Sequence, residues 1–362
     1  MNELYIGIMS GTSLDGVDIA LCEINTHNSK LLASYEHPFP KILKNEILQM
    51  IASTTTLQKV GEVDIKLGEL YASVVNLFLE NNSISRKSIK AIGLHGQTLW
   101  HEPNAEYPFS MQLGSGSVVA QKVGIDTVTD FRNGDIANGG EGAPFAPAFH
   151  AEIFAHLGEG VGVVNIGGMA NISYLGKKTL GWDIGCGNVL LDTFIQKSQK
   201  KPYDKDGAFA KSGEVIMPLL QVMLKDDYFS KAPPKSTGRE YFNEAWLDTK
   251  LADFGTLKDS DIQRTLLELT ALSIAKEANR LRVKELILCG GGAKNGFLVE
   301  RIATYSRVKV STSATHAVES DSLEAMIFAW LAYKRIHKEK VALSSVTGAK
   351  KDTILGALYA SS

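Results

Sequence analysis

A loop near the start of the chain combines glycines with hydroxyl and acidic side chains, and this composition suits a phosphorylated ligand. The segment Ser10–Asp18 reads Ser-Gly-Thr-Ser-Leu-Asp-Gly-Val-Asp. Its glycines, Gly11 and Gly16, let backbone N–H groups approach a ligand, and consecutive amides in a turn form an anion-binding nest. The alternative is an ordinary hairpin whose turn is made by Asp15-Gly16.

The same loop carries the side chains of a candidate metal and nucleotide site. Thr12 and Ser13 add hydroxyl donors, and Asp15 or Asp18 is a candidate to hold Mg²⁺ through waters. The candidate contacts for a phosphorylated ligand in this loop are Gly11, Thr12, Ser13, Leu14, Asp15, Gly16, Val17 and Asp18.

Two further glycine turns follow predicted strands. Gly167-Gly168 turns a second hairpin, and Gly290-Gly291-Gly292 stands between a strand and a helix. Three glycines permit close approach of a planar or phosphorylated ligand, and a helix N-terminus favours anions. The triplet matches neither GxGxxG nor GxxxxGK[ST], so a tight strand-to-helix connection is the alternative. Three glycine-rich strand ends that converge on one cleft would build a split nucleotide site.

One acidic residue lies among glycines, where a carboxylate can face a cleft. Asp183 belongs to the segment Gly181–Asp192 and is a candidate general base. The alternative is that Asp183 caps the helix predicted after Gly187. Asp192 falls inside that helix and is expected to be solvated or to assist capping.

Polar residues after other strands are candidates to bind a sugar. His95 and Gln97 follow a predicted strand and can hydrogen-bond sugar hydroxyls. Arg132 can pair with an anionic substrate group or with a neighbouring carboxylate, and the residues leave both open. Glu324 lies in the first turn of the last long predicted helix, where its charge suits the helix dipole.

The hydrophobic pattern predicts alternating strands and helices. Hairpins open at Tyr5–Met9 and again at Val161–Ile166, with Gly7 and Gly162 at matching positions 155 residues apart. That repeat suggests two similar halves with mostly parallel sheets covered by helices. Other predicted strands are Leu31–Tyr35, Ile89–Leu94, Ile125–Thr129 and Glu285–Cys289, and the main predicted helices are Lys41–Ala52, Val63–Phe78, Ser115–Val123, Val189–Lys197, Val215–Leu224, Ser260–Arg280 and Leu323–Ile336.

Length and composition limit the number of domains, the kinds of partner and the cell compartment to be expected. A chain of 362 residues exceeds one usual core, and the Gly- and Pro-rich passage after residue 130 marks the predicted domain boundary. The net charge of -2 and the lack of basic runs disfavour nucleic acid and membrane partners. The longest apolar run, Ala325–Tyr333, is nine residues against the ~20 that a bilayer needs. Three scattered cysteines argue against disulfides and zinc, so we expect a cytoplasmic protein.

The chain resembles the anhydro-N-acetylmuramic acid kinase family over nearly its whole length. The matching motifs are Ile8–Asp18, Leu94–Thr98, Asn165–Ile172, Gly187–Asp192, Leu288–Asn295, Leu323–Met326 and Val346–Ala349. One departure is visible where the family usually reads Asp-Thr-Gly-Pro-Gly-Asn. This chain has Asp183-Ile184-Gly185-Cys186-Gly187-Asn188 there and retains the carboxylate.

The resemblance implies an α/β fold of two related actin- or hexokinase-like (ribonuclease H-like) domains with a nucleotide cleft between them. We expect a first domain of residues 1–130, joined by the tail from about 338 to 362, and a second of residues 131–337. The resemblance also implies that Gly11–Asp18 and Gly167-Gly168 bind ATP phosphates and that Gly290–Gly292 faces the adenosine. Asp183 would then be the catalytic base and Glu324 a second catalytic residue. The expected sugar contacts are His95, Gln97, Arg132, Asp183 and Glu324.

The implied reaction opens the 1,6-anhydro ring of anhydro-N-acetylmuramic acid with water and phosphorylates O6 from ATP with Mg²⁺, as a step of peptidoglycan recycling. One alternative is a kinase of the same fold for another sugar or anhydro sugar, such as levoglucosan. Another is a nucleotide-switched actin- or chaperone-like protein without this chemistry. The expected partner is a small sugar, and the sequence leaves open whether the chain forms a homodimer.

Overall fold

The computed structural model describes residues 2–12, 14–26, 28–316, 318 and 322–362. The chain divides into two compact units. The first comprises Met1–Ile153 and Ser322–Ser362, and the second comprises Phe154–Asp321.

Strands and helices alternate along the described residues. The strands are β1 (Glu3–Met9), β2 (Gly16–Asn25), β3 (Asn28–Pro38), β4 (Ile89–Leu94), β5 (Gln97–Glu102), β6 (Phe109–Leu113), β7 (Thr127–Thr129), β8 (Val161–Ile166), β9 (Met169–Leu175), β10 (Thr179–Cys186), β11 (Glu285–Cys289), β12 (Lys309–Thr312) and β13 (Ala357–Tyr359). The α-helices are α1 (Lys41–Ala52), α2 (Leu57–Asn81), α3 (Gly116–Val123), α4 (Asn133–Ile136), α5 (Ala146–Ile153), α6 (Val189–Gln199), α7 (Ala208–Lys211), α8 (Met217–Leu224), α9 (Asp227–Ser230), α10 (Glu244–Leu251), α11 (Asp259–Leu281), α12 (Gly296–Tyr305), α13 (Leu323–Ile336) and α14 (Ser344–Thr347). None of these helices is both long enough and apolar enough to cross a bilayer.

The two units contain sheets of the same topology. The first sheet has the order β13-β7-β4-β1-β2-β3, and the second has the order β10-β9-β8-β11-β12. In each, the opening three strands form an antiparallel meander, and the next two strands run parallel to the first. The prediction of two related α/β halves is therefore confirmed. The prediction of mostly parallel sheets is wrong, because the meander makes each sheet mixed.

The core of the first unit lies between one face of its sheet and α2. Alternate residues of β1 and β2, including Ile6, Ile8 and Ile19, are buried on this face. The apolar residues of α2 recur at steps of three and four, which places them on one side of the helix. Burial of this shared apolar surface holds the helix against the sheet.

Helix α13 covers the opposite face of the same sheet at very short distance. A Cβ atom on Gly7 would overlap the carbonyl of Ala325, and one on Gly93 would overlap that of Phe328. The helix runs antiparallel to β1, because Tyr333 packs on Tyr5 toward its other end. The first turn of α13 therefore lies at the edge where β1 and β4 end.

The unit boundaries differ from the predicted ones. Residues 131–153 and 322–337 were expected in the second domain but belong to the first unit, together with the tail. The physical reason is packing: α13 contacts β1 and β4, and α5 contacts α13 and β3. Lys334 also pairs with Glu152 at 3.5 Å, which ties α13 to α5.

Helix α11 is the central helix of the second unit. It is buried along most of its 23 residues and packs against α6, α8, α12 and β10. Its fully buried Glu268 accepts from Arg264 at 2.8 Å and from Arg301 of α12 at 2.7 Å. This charge is therefore compensated and has a structural role.

Candidate active site

The first glycine loop is held in place by two buried contacts. Ser10 and Tyr71 share a hydrogen bond of 2.7 Å, and both side chains are buried. Leu14 is also buried, at a φ of 53°, and its N–H donates to the carbonyl of Gly11 at 3.1 Å. The turn therefore lies before Asp15-Gly16, contrary to the ordinary-hairpin alternative. Thr12 is exposed beside it, and Ser13 lies outside the described residues.

The two carboxylates of this loop have different surroundings. Asp15 is exposed and pairs with Lys44 at 3.3 Å. Asp18 lies within β2, whereas Asp15 precedes that strand. The described residues contain no cluster of three or more His, Cys, Asp or Glu side chains suited to a metal ion. Contact of Asp15 and Asp18 with Mg²⁺ through waters stays a prediction.

His95 and Arg132 meet at the carboxyl edge of the first sheet. Arg132 donates from Nη2 and Nε to His95 Nε2 at 3.0 and 3.3 Å. Burial, with the nearby Arg132 charge, lowers the pKa of His95 to about 3. The imidazole is therefore neutral, and since Nε2 accepts, its proton belongs on Nδ1. His95 also packs on Phe328 of α13.

Arg132 is a largely enclosed cation that lacks an acidic partner among the described residues. Its other contacts are the Gly142 carbonyl at 3.4 Å and the face of Phe145. Burial lowers the pKa of Arg132 to about 10. An enclosed guanidinium is costly unless a counter-charge arrives. Of the two interpretations of Arg132, the structural ion pair is not found, and the site fits an anionic ligand group.

Gln97 and Glu324 complete the candidate residues of the first unit. Gln97 is buried at the start of β5, and its Oε1 accepts no hydrogen bond from the described residues. A buried amide oxygen without a donor suits a ligand that donates an N–H or O–H. Glu324 lies exposed in the first turn of α13, as predicted.

In the second unit, the Gly167-Gly168 turn binds the start of α6. The Gly168 carbonyl accepts from Gly187 and Val189 at 2.8 and 3.0 Å, and the Gly167 carbonyl accepts from Asn188 at 2.8 Å. These bonds satisfy N–H groups that a helix N-terminus otherwise leaves unpaired. The first N–H of α6, that of Val189, is therefore already bonded and is not available to a ligand of this turn.

The Gly290–Gly292 turn packs tightly on the end of β8. A Cβ atom on Gly290 would overlap the side chain of Asn165, and one on Gly292 would overlap Ile166. Close packing therefore explains these two glycines, as the alternative interpretation held. Gly291 is exposed, and a Cβ atom built on it would approach only Asn188, at 3.9 Å, so it is the member of the triplet best placed to meet a ligand.

Asp183 has one fixed and one uncommitted carboxylate oxygen. Its Oδ2 accepts from the Thr237 N–H at 3.0 Å and from Ser236 Oγ at 3.1 Å. No described residue donates to Oδ1. Burial raises the pKa of the carboxyl, and the bonds from Thr237 and Ser236 oppose that rise. This arrangement suits a proton acceptor.

The capping role considered for Asp183 is not observed. The N-cap residue of α6 is Asn188, and Asp183 instead lies in the edge strand β10, at an irregularity in its pairing with β9. Ile184 and Cys186, where the sequence departs from the family pattern, are buried in the core of this unit. Asp192 lies in the first turn of α6, and burial raises its pKa to about 6.

Sequence reasoning missed the loop that contacts Asp183. The segment Lys235–Arg239 supplies both hydrogen bonds to Oδ2 and places Arg239 beside Gly168. A signal was present, because the segment Lys-Ser-Thr-Gly-Arg after two prolines combines hydroxyls, a glycine and two cations. Nothing in its spacing connects it to position 183.

Comparisons with known proteins agree with the motifs. The model of the family "Anhydro-N-acetylmuramic acid kinase" matches residues 3–361. A protein of that name from Sulfurovum sp. (strain NBC37-1) is 57% identical over 358 residues, covering 99% of both chains. One from Sulfurimonas denitrificans is 52% identical over 367 residues, covering 99% of this chain and 100% of the relative. Among solved structures, the Clostridium difficile activator of 2-hydroxyisocaproyl-CoA dehydratase with bound ADPNP has a TM-score of 0.45 at 13% identity, covering 92% of this chain and 95% of that one.

Proposed function

Because the chain belongs to the anhydro-N-acetylmuramic acid kinase family, we propose that it phosphorylates anhydro-N-acetylmuramic acid with ATP. The reaction opens the 1,6-anhydro ring with water and yields N-acetylmuramic acid 6-phosphate and ADP, a step of peptidoglycan recycling. The observation that carries the proposal is Asp183, whose Oδ2 is fixed and whose Oδ1 remains available. Since the reaction consumes ATP, we place the protein in the cytoplasm.

The proposed chemistry follows from the structure of the bridged sugar. Its O6 is bonded to the anomeric carbon, so there is no free 6-hydroxyl to phosphorylate. Asp183 Oδ1 would take a proton from a water whose oxygen bonds to C1, while the C1–O6 bond breaks. The released O6 would attack the γ-phosphorus, and the bond to the ADP oxygen would break. General-base assistance of this kind is worth on the order of 10²–10⁴-fold.

The glycine turns are the proposed phosphate-binding elements of each unit. In the first unit this is the loop Gly11–Asp18, which is anchored by buried Ser10 before it and by buried Leu14 within it. In the second unit it is Gly167-Gly168, with Gly291 as the proposed adenosine contact. Amide donors fixed before the reaction stabilise charge that develops on the transferring group. Mg²⁺ would arrive with the nucleotide and neutralise phosphate charge, with Asp18 proposed as a contact through water.

Four residues of the first unit are the proposed sugar contacts. N-acetylmuramic acid carries a lactyl carboxylate, and we assign it to Arg132, the cation without a described acidic partner. Neutral His95 orients that guanidinium through its Nε2. Gln97 Oε1 would accept from a sugar N–H or O–H, and Glu324 would hydrogen-bond a sugar hydroxyl.

Product analysis in ¹⁸O-water tests the reaction. The protein is incubated with ATP, Mg²⁺ and anhydro-N-acetylmuramic acid, beside levoglucosan and N-acetylglucosamine. We expect phosphorylation of anhydro-N-acetylmuramic acid, with the heavy oxygen at C1 and none in the 6-phosphate ester. A phosphorylated product that contains no ¹⁸O at C1 would contradict coupled ring opening. If the protein phosphorylates one of the other sugars more efficiently, that sugar is its substrate.

A further inference from the structure

The guanidinium of Arg239 lies against the glycine turn of the second unit. Its Nη2 and Nε are 3.6 and 3.7 Å from the position that a Cβ atom on Gly168 would occupy. Arg239 is exposed, and its guanidinium forms no hydrogen bond or ion pair with any described residue. A Cβ atom there would be in ordinary van der Waals contact with the cation.

The main chain of Gly168 presents a second donor at the same place. Its carbonyl is occupied by the N–H groups of Gly187 and Val189. Its own N–H has no acceptor among the described residues. Two unused donors, the Gly168 amide and the Arg239 guanidinium, therefore lie close together beside this turn. Paired donors of this kind are the usual recognition elements of a phosphate group.

The backbone that carries Arg239 is fixed at both ends. On one side, the Asp183 N–H donates to the Lys235 carbonyl at 3.0 Å, and Thr237 donates to the Asp183 carboxylate. On the other side, the Gly238 carbonyl accepts from Tyr241 and Phe242, each at 3.1 Å. Phe242 is fully buried and packs on Tyr228 and Trp246. Because this loop is already ordered, less entropy is lost when a ligand binds.

Asp192 offers a different explanation for the position of Arg239. Burial raises the pKa of Asp192, and the positive charge of Arg239 opposes that rise. The two side chains nevertheless do not approach to within ion-pair distance. A cation held only to balance Asp192 would be expected to bond it directly. The geometry instead leaves the guanidinium available beside the turn.

We propose that Arg239 and the Gly168 N–H together bind a phosphate of the nucleotide. The assignment rests on the proposed kinase function and adds a contact that supplies positive charge to the second glycine turn. The loop Lys235–Arg239 then has two functions. Ser236 and Thr237 position the Asp183 carboxylate, and Arg239 binds a phosphate.

Calorimetric titration with ADP, a non-hydrolysable ATP analogue and adenosine, each with Mg²⁺, tests this assignment. For Arg239→Gln we expect ADP and the analogue to bind ~10- to 100-fold more weakly, because a charged hydrogen bond is lost. Adenosine should bind as it does to the unchanged protein. Arg239→Lys should lose less affinity for ADP and the analogue than Arg239→Gln does. Arg307→Gln, which removes an exposed cation elsewhere in the same unit, should bind both ligands as the unchanged protein does.

A double variant separates phosphate binding from charge balance. If Arg239 only compensates Asp192, then Asp192→Asn should restore ADP affinity to Arg239→Gln, and the proposal fails. ADP affinity of Arg239→Gln within about twofold of the unchanged protein would also overturn it. If Arg239→Gln does not fold, as judged by circular dichroism, the ADP affinity of Arg239→Lys is the test. A partial loss of affinity supports the proposal, and an unchanged affinity overturns it. Failure of the unchanged protein to bind ADP or the ATP analogue would instead refute the proposed function.

Discussion

The main-chain N–H of Thr237 donates to Oδ2 of Asp183 at 3.0 Å, across 54 positions of the chain. A main-chain donor holds this oxygen whatever side chain occupies position 237. Ser236 Oγ bonds the same oxygen, so rotation of the carboxylate is restrained and Oδ1 keeps one orientation. Restraint of this kind is what a general base requires, because proton transfer depends on distance and alignment.

Ser236→Ala should move the pH profile of the reaction. Loss of the hydroxyl removes a donor that stabilises the charged carboxylate, so the pKa of Asp183 should rise further above its ordinary value. Because the base acts when deprotonated, the acid limb of the kcat/KM profile should shift to higher pH. At alkaline pH, kcat/KM should differ less between the two proteins. The measurement is kcat/KM against pH for both proteins.

The control for this comparison is Ser230→Ala. Ser230 is an exposed serine of the same unit, and its hydroxyl bonds the Asp227 carbonyl instead. Its pH profile should match that of the unchanged protein. An acid limb that stays in place in Ser236→Ala would show that this hydroxyl does not act on the base.

Arg132→Gln should weaken sugar binding rather than nucleotide binding. We expect KM for anhydro-N-acetylmuramic acid to rise ~10- to 100-fold, with ADP affinity unchanged, since one charged hydrogen-bonded contact is lost. The anhydro form of N-acetylglucosamine, which lacks the lactyl carboxylate, is the matched substrate. Its kinetics should differ little between the two proteins. An equal loss on both sugars would assign Arg132 to another group.

Gly7→Ala should destabilise the first unit, because its methyl group would meet the Ala325 carbonyl of α13. Overpacking of this kind costs about 1–3 kcal/mol of the free energy of unfolding. Gly61→Ala is the matched control, since it lies in α2 with open space around it and should stabilise by about 0.5–1 kcal/mol. Denaturant unfolding of the three proteins gives both values. Equal stability of Gly7→Ala and the unchanged protein would contradict the close packing of α13.

His95 should make stability depend on acid pH. Burial lowers the pKa of His95 to about 3, whereas an unfolded histidine titrates near 6.5. Between these values the unfolded chain binds a proton that the folded protein does not, so stability falls as pH falls. His95→Gln should reduce this slope by up to ~1.4 kcal/mol per pH unit. His37→Gln, on β3, controls for loss of an imidazole.

Urea unfolding at several pH values from 7 to 4 measures the slope for each protein. The His37 variant should retain the slope of the unchanged protein. If His95→Gln retains it as well, then His95 is protonated in the folded state, and the neutral pairing with Arg132 is wrong.

The strands and long helices could be predicted because their signals are local. The hairpin at Val161–Ile166, the strand Ile89–Leu94 and the helix Leu323–Ile336 have the predicted bounds, since each is defined by its own periodicity and flanking turn residues. The repeated hairpin also predicted the duplication, because glycine turns mark the same point in both sheets.

The unit boundaries and the Asp183 environment could not be predicted, because both depend on contacts between distant residues. Helix α13 joins the first unit because Gly7 and Gly93 allow its backbone to approach the sheet. No pattern within the helix reveals that neighbour. Likewise Ser236 and Thr237 resemble ordinary loop residues until the fold brings them to Asp183.

The turnover of Asp183→Asn tests the central claim most directly. The substitution keeps the size of the side chain and removes its capacity to take a proton. We expect kcat to fall by at least ~10²-fold while ADP affinity stays within about twofold, because the carboxylate acts on water and not on the nucleotide. Near-normal turnover in this variant would contradict the assignment of Asp183 as the base.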